Sequence, residues 1–168
     1  FTLNKTVTIL AKNNTVLFKG TVNGTYDLAI GNNANATNVT FEKSAGSTDV
    51  INSLFVKGNI TANDKITTKG NISVGGTSSI TSATSQSGAI SFTGDATASG
   101  AISADGNITF DGTADVAGVT STSGVISFDG DAKASGAISA DGDITFGKKA
   151  IINGVTSTNG AISVGGTT

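Results

Sequence analysis

The chain has 168 residues and a formal net charge of −2, and Gly, Thr, Ser and Asn account for 83 of those residues. Cys, His, Met, Trp, Pro and Arg are absent. That excludes disulfides, a Cys or His metal centre, a Ser-His or Cys-His nucleophile pair and bidentate arginine recognition of phosphate. With eight Phe, one Tyr and a pI near 4.8, nucleic acid is not an expected partner, and no run of 18 apolar residues is present to span a membrane.

Charged residues are only 13% of the chain, yet 37% are hydrophobic and the mean hydropathy is +0.11, so apolar surface seeks burial. A chain this poor in large side chains builds a core by repeating a unit. Residues 1–51 carry four alternating, strand-like runs: TVTILA (6–11), TVLFKG (15–20), YDLAIG (26–31) and NVTFEK (38–43). Their spacers are unequal, which predicts irregular N-terminal coils or a cap. The run 6–11 is a candidate donor strand for a neighbour's open sheet edge.

Residues 52–168 are regular. From Gly70 to Gly166 a glycine falls every sixth residue, interrupted only at Ser82 and Lys148, in hexads such as GAISFT and GNITFD. Within each hexad the third and fifth residues are apolar or small and the fourth is polar, the period-2 signature of a short strand with one buried face. The glycines, often beside Asp, are expected to supply positive-φ turns. Three hexads make a period of 18. Leu54, Ile72, Ile90, Ile108, Ile126, Ile144 and Ile162 form one series, and Val56, Val74, Phe92, Phe110, Phe128, Phe146 and Val164 follow two residues later. Coils of this period would stack each series into an interior ladder at ~4.8 Å spacing. The second hexad contributes small residues, Ala96, Ala98, Ala132 and Ala134; the third alternates Ile-Ser-Ala (102–104, 138–140) with Thr-Ser-Thr (120–122, 156–158). A 36-residue super-repeat overlies this: residues 88–123 and 124–159 are identical at 25 of 36 positions. The fold predicted is all-β, a parallel β-solenoid with an 18-residue coil and roughly triangular section. Right-handed winding is expected from the preference of parallel crossovers, with left-handed winding, the habit of hexapeptide-repeat solenoids, as the alternative.

Residues 21–31 (TVNGTYDLAIG) and 39–60 (VTFEKSAGSTDVINSLFVKGNI) resemble the repeats of filamentous-haemagglutinin-type and autotransporter adhesins of bacterial surfaces. Those repeats place a YDL-x-I strand, a VTF strand and an SL-x-V-x-G-x-I strand in this order. The resemblance implies a secreted parallel β-helix acting as stalk, adhesin or filament at a cell surface. The family's secretion-recognition domain and membrane barrel have no counterpart, which implies either a segment of a longer solenoid or a short self-assembling protein.

Four kinds of site are worth weighing. Asp111 and Asp129, at equivalent positions of successive coils, together with Asp131, are calcium candidates through stacked carboxylates. The glycine-aspartate nonapeptide of calcium solenoids is missing, so Asp-Gly is read first as turn chemistry and no cofactor is expected. Asn4, Asn13, Asn23, Asn35, Asn38, Asn59, Asn71 and Asn107 head Asn-x-Ser/Thr sequons for glycosylation; a chain so rich in these residues also makes sequons by chance. The Thr-Ser-Thr tripeptides and the outward row Ser73, Ser91, Thr109, Ser127, Thr145 and Ser163 suggest flat faces for ice or carbohydrate. Catalysis is not expected, because the acids sit at repeating turns with no unique cluster. The coil period also pairs Asp115 with Lys133 and Asp131 with Lys149. Residues 1–87 carry net +3 and residues 88–168 net −5, an asymmetry that suggests head-to-tail contact between identical subunits. The function expected is structural and extracellular, an adhesin stalk or a self-assembling filament subunit, whose partners would be identical subunits, the rest of a longer solenoid, or a host-surface or matrix carbohydrate or protein.

Overall fold

A computed structural model describes residues 1–11, 15–32 and 36–166. Among these residues every named element is a β-strand and every strand pairing is parallel. The first face is a nine-stranded sheet: Val7–Ile9, Leu28–Ile30, Leu54–Val56, Ile72–Val74, Ile90–Phe92, Ile108–Phe110, Ile126–Phe128, Ile144–Phe146 and Ile162–Val164. Both predicted ladders are therefore real, with Ile90 opposite Ile72 and Ile108, and Phe92 opposite Val74 and Phe110. The four phenylalanine rings stack with centroids 5.4, 4.7 and 5.2 Å apart and interplanar angles of 20°, 2° and 6°. Each ring is buried, and these rings are the largest side chains of the regular core.

The second and third faces form the other sheet. Ile60–Ala62 and Ile66–Thr68 are separate strands, but further on the two faces run together as Ala96–Ala104, Ala114–Ser121, Ala132–Ala140 and Ala150–Ser157. Ala96, Ala98, Ala132 and Ala134 point inward and are buried, leaving room for the phenylalanine stack. The corner between these faces appears as a shift of register, for example between Ala98 and Ala101.

That shift explains the 36-residue super-repeat. On the second face paired positions keep the regular period of the sequence, Ala96 with Ala114 and Ala114 with Ala132. On the third face the step alternates about that period. Ala83 pairs with Ile102, one residue beyond it; Ile102 pairs with Val119, one residue short; Val119 pairs with Ile138, one beyond again. One coil turns the corner with Ser99-Gly100-Ala101 and the next with Ala117-Gly118; the following corner compensates, Asp105–Asn107 against Thr122–Val125. Two corrections follow. Thr-Ser-Thr does not occupy the slot of Ile-Ser-Ala; Val119-Thr120-Ser121 lies opposite Ile102-Ser103-Ala104, with Ser121 buried. Nor do the hexad glycines supply positive-φ turns, since the glycines with positive φ are Gly24, Gly31 and Gly46. What most of the hexad glycines supply is close approach. A Cβ on Gly112 would lie 2.6 Å from the carbonyl carbon of Gly94, and one on Gly94 equally close to that of Gly76. Backbone stacks on backbone at this corner, so glycine is required there for space.

The N-terminal residues build larger coils in the same sheets. Leu28 pairs with Val7, and Leu54 with Leu28, each pair further apart along the chain than any in the regular coils. Within the run 6–11, Val7–Ile9 pairs with the chain's own Leu28–Ile30 and ends the sheet.

Candidate functional site

The polar chemistry of the chain gathers at the corners. Directly after a corner glycine, Asn59, Asn71 and Asn107 each accept, through Oδ1, a backbone N–H of the coil that follows: Thr77 at 2.9 Å, Ala89 at 2.9 Å and Val125 at 3.1 Å. Asp95 and Asp143 do the same for Thr113 at 2.8 Å and Ala161 at 2.7 Å. Asn and Asp are interchangeable here because only an acceptor oxygen is asked for. At the start of the first face the clamp recurs in every second coil, alternating with Ala89, Val125 and Ala161, which have no acceptor to offer.

A second set of contacts closes the corner from the third face to the first. Asp105 Oδ1 accepts the hydroxyls of Ser123 at 2.8 Å and Thr122 at 2.9 Å, and these bonds hold its carboxyl below the ordinary range. One repeat later Asp141 Oδ1 accepts Asn159 Nδ2 at 2.6 Å. Sequence reasoning missed the buried member of this corner. Ser121 Oγ donates to Gly106 O at 2.9 Å and accepts Gly124 N–H at 3.0 Å. Ser85 and Ser157 make the same two bonds with Gly70 and Gly88, and with Gly142 and Gly160. Their 36-residue spacing, alternating with Ala104 and Ala140, was the available signal.

This geometry accounts for most of the sequons. In Asn59-Ile60-Thr61, Asn71-Ile72-Ser73 and Asn107-Ile108-Thr109 the first residue clamps the next coil, the second enters the core and the third faces outward. Asp143-Ile144-Thr145 fills the same slots without being a sequon. Asn38 Oδ1 likewise accepts Asn59 N–H at 2.9 Å, and Asn23 Oδ1 accepts the N–H groups of Ser47 and Thr48 at 3.0 and 3.1 Å. Asn4 is exposed; Asn13 and Asn35 lie outside the described residues.

Of the calcium candidates, Asp111 and Asp129 stand one coil apart at equivalent places, each N–H on the phenylalanine carbonyl of the preceding coil. Asp129 Oδ1 takes the Ser127 hydroxyl at 2.7 Å, and Asp131 is exposed. Among the described residues no three acids converge into a metal-holding group. Lys133 Nζ meets Asp115 Oδ2 at 2.9 Å across paired strands, the partner its spacing predicts. Asp131 and Lys149 also lie one coil apart, with Ala132 N–H on Lys149 O at 2.8 Å, but among the described residues the ion pair is Asp115–Lys133 alone.

No family model matches the chain, and neither a curated protein nor a solved structure shows significant similarity to it. The fold defines the chain as a repeat protein of the parallel β-solenoid class.

Proposed function

We propose that the chain is a structural rod, a length of extracellular β-solenoid acting as adhesin stalk or filament at a cell surface and carrying out no catalysis. One observation carries this reading: the corner side chains of Asn59, Asn71, Asp95, Asp105, Asn107 and Asp143 are engaged with the adjoining coil. Such groups confer cohesion along the axis. The resemblance of residues 21–60 to haemagglutinin-type and autotransporter repeats supports the same role and supplies the cell-surface setting. Nine strands at ~4.8 Å make a rod of ~38 Å.

The rod is extensible. Ile162–Val164 pairs on one side only, and Ile162 and Val164 are 49% and 38% exposed. A further coil, from the same polypeptide or from a second subunit arriving head to tail, covers both.

Electron microscopy of the 168-residue chain, combined with single-molecule pulling along its axis, tests the proposal. Rods or fibres that yield coil by coil at high force are expected; a particle that unravels at low force overturns the structural role. A second reading, carbohydrate binding, rests on a shallow groove of about 480 Å³ crossing four coils, lined by Asn63, Ser79, Thr97, Ser99 and Asp115. Glycan-array binding would favour it, and thermal hysteresis would favour the ice-binding variant built on the outward Ser/Thr row.

A further inference from the structure

Three asparagines precede glycine: Asn23, Asn153 and Asn159. In such a pair the glycine nitrogen can attack the side-chain Cγ, expelling ammonia and closing a succinimide. Water then opens the ring to aspartate or isoaspartate, so no further reactant is consumed. The step needs a glycine N–H released from the backbone ladder, and here the three sites differ. Gly24 N–H is bound to a backbone carbonyl, Asp49 O, at 3.0 Å. Gly154 lies within strand Ala150–Ser157, opposite Ala137. Gly160 follows that strand, and its N–H goes to the Ser157 hydroxyl at 3.0 Å.

We propose that Asn159 is a site of spontaneous deamidation, and that the reaction turns a rung between coils into a like-charge contact. Asn159 donates Nδ2–H to Asp141 Oδ1 at 2.6 Å, and its own N–H to Asp141 O at 2.8 Å. One repeat earlier the equivalent donor to Asp105 is Ser123. The column thus alternates acceptor and donor: Asp105, Ser123, Asp141, Asn159. Deamidation replaces the last donor with a second carboxylate facing Asp141, and the isoaspartate form adds a methylene to the backbone beside the Asp141 rung. The modification opens this corner without cutting the chain, and it stands independently of the structural role proposed above.

Incubating the 168-residue chain in mildly alkaline buffer and mapping its peptides by mass tests the order of reaction. The one-dalton gain is expected at Asn159 before Asn23 or Asn153. Asn159→Asp, made directly, is expected to lower the melting temperature by about 1–2 °C. Asn159→Ser, which restores the donor used at Ser123, should melt with the parent and gain no mass there. Earlier conversion at Asn23 or Asn153, or an Asn159→Asp variant as stable as the parent, overturns the proposal.

Discussion

Replacing Phe128 by alanine probes the core at its most ordered point. The side chain is 1% exposed, and its ring lies 4.7 Å from Phe110 and 5.2 Å from Phe146, parallel to within 2° and 6°. Truncating a buried phenylalanine costs ~3–5 kcal/mol through lost transfer energy and the cavity left behind. Each ring pair adds ~0.5–1.5 kcal/mol beyond area, and Phe128 loses two, so ~4–5 kcal/mol is expected. Phe92 stacks on one phenylalanine only, at 20°, with Val74 on its other side; Phe92→Ala should cost nearer ~3 kcal/mol. Phe128→Leu keeps most of the volume and loses mainly the ring pairs, so ~1–2 kcal/mol is expected. Urea unfolding followed by circular dichroism gives the global values. Hydrogen exchange at the flanking coils detects any local uncoupling, which repeat proteins permit. A Phe128→Ala loss no larger than that of Leu17→Ala, at an exposed outward position, would refute a continuous buried stack.

Ser78 is buried with its hydroxyl unpartnered, in a slot that later coils fill with Ala96, Ala114, Ala132 and Ala150. Ser78→Ala should therefore raise stability by ~1 kcal/mol, measured by the same urea titration. Gly112→Ala forces a Cβ onto the Gly94 backbone and is expected to cost ~1–3 kcal/mol, whereas Gly154→Ala, with open space around its Cβ, should escape that overpacking cost. Asp105 has a depressed folded-state pKa, so its contribution is present above the ordinary carboxylate pKa and is lost as pH falls through the folded value. Thermal melts from neutral to strongly acidic pH should lose part of their acid sensitivity in Asp105→Asn, and an unchanged profile would contradict the hydroxyl contacts.

The columns of the regular coils were legible because a fixed period with β-branched and aromatic residues leaves one arrangement that buries them all, and Ile72 through Ile162 and Phe92 through Phe146 stack accordingly. The Asp115–Lys133 pair was legible for the same reason. The third face was misaligned because a fixed period cannot reveal one residue passed between adjacent corners; Ser121 looked like the middle of an outward tripeptide and is instead a buried buckle. The role of the glycines was missed because turn chemistry and close approach select the same residue. The clamps escaped because Asn107 and Asp143 resemble ordinary turn residues until the coil above supplies their donors.

The alternation of long and short steps on the third face sets a unit of growth. In the regular part of the chain, excising residues 88–123 would join Ser87 to Gly124 and leave every remaining corner facing the kind of corner it faces now. Excising one coil would bring buckles such as Ser85 and Ser121 into successive turns and set like corners upon like. Within the regular coils, a change of length by a coil pair, ~9.6 Å along the axis, keeps this match of corners, and a change by a single coil breaks it.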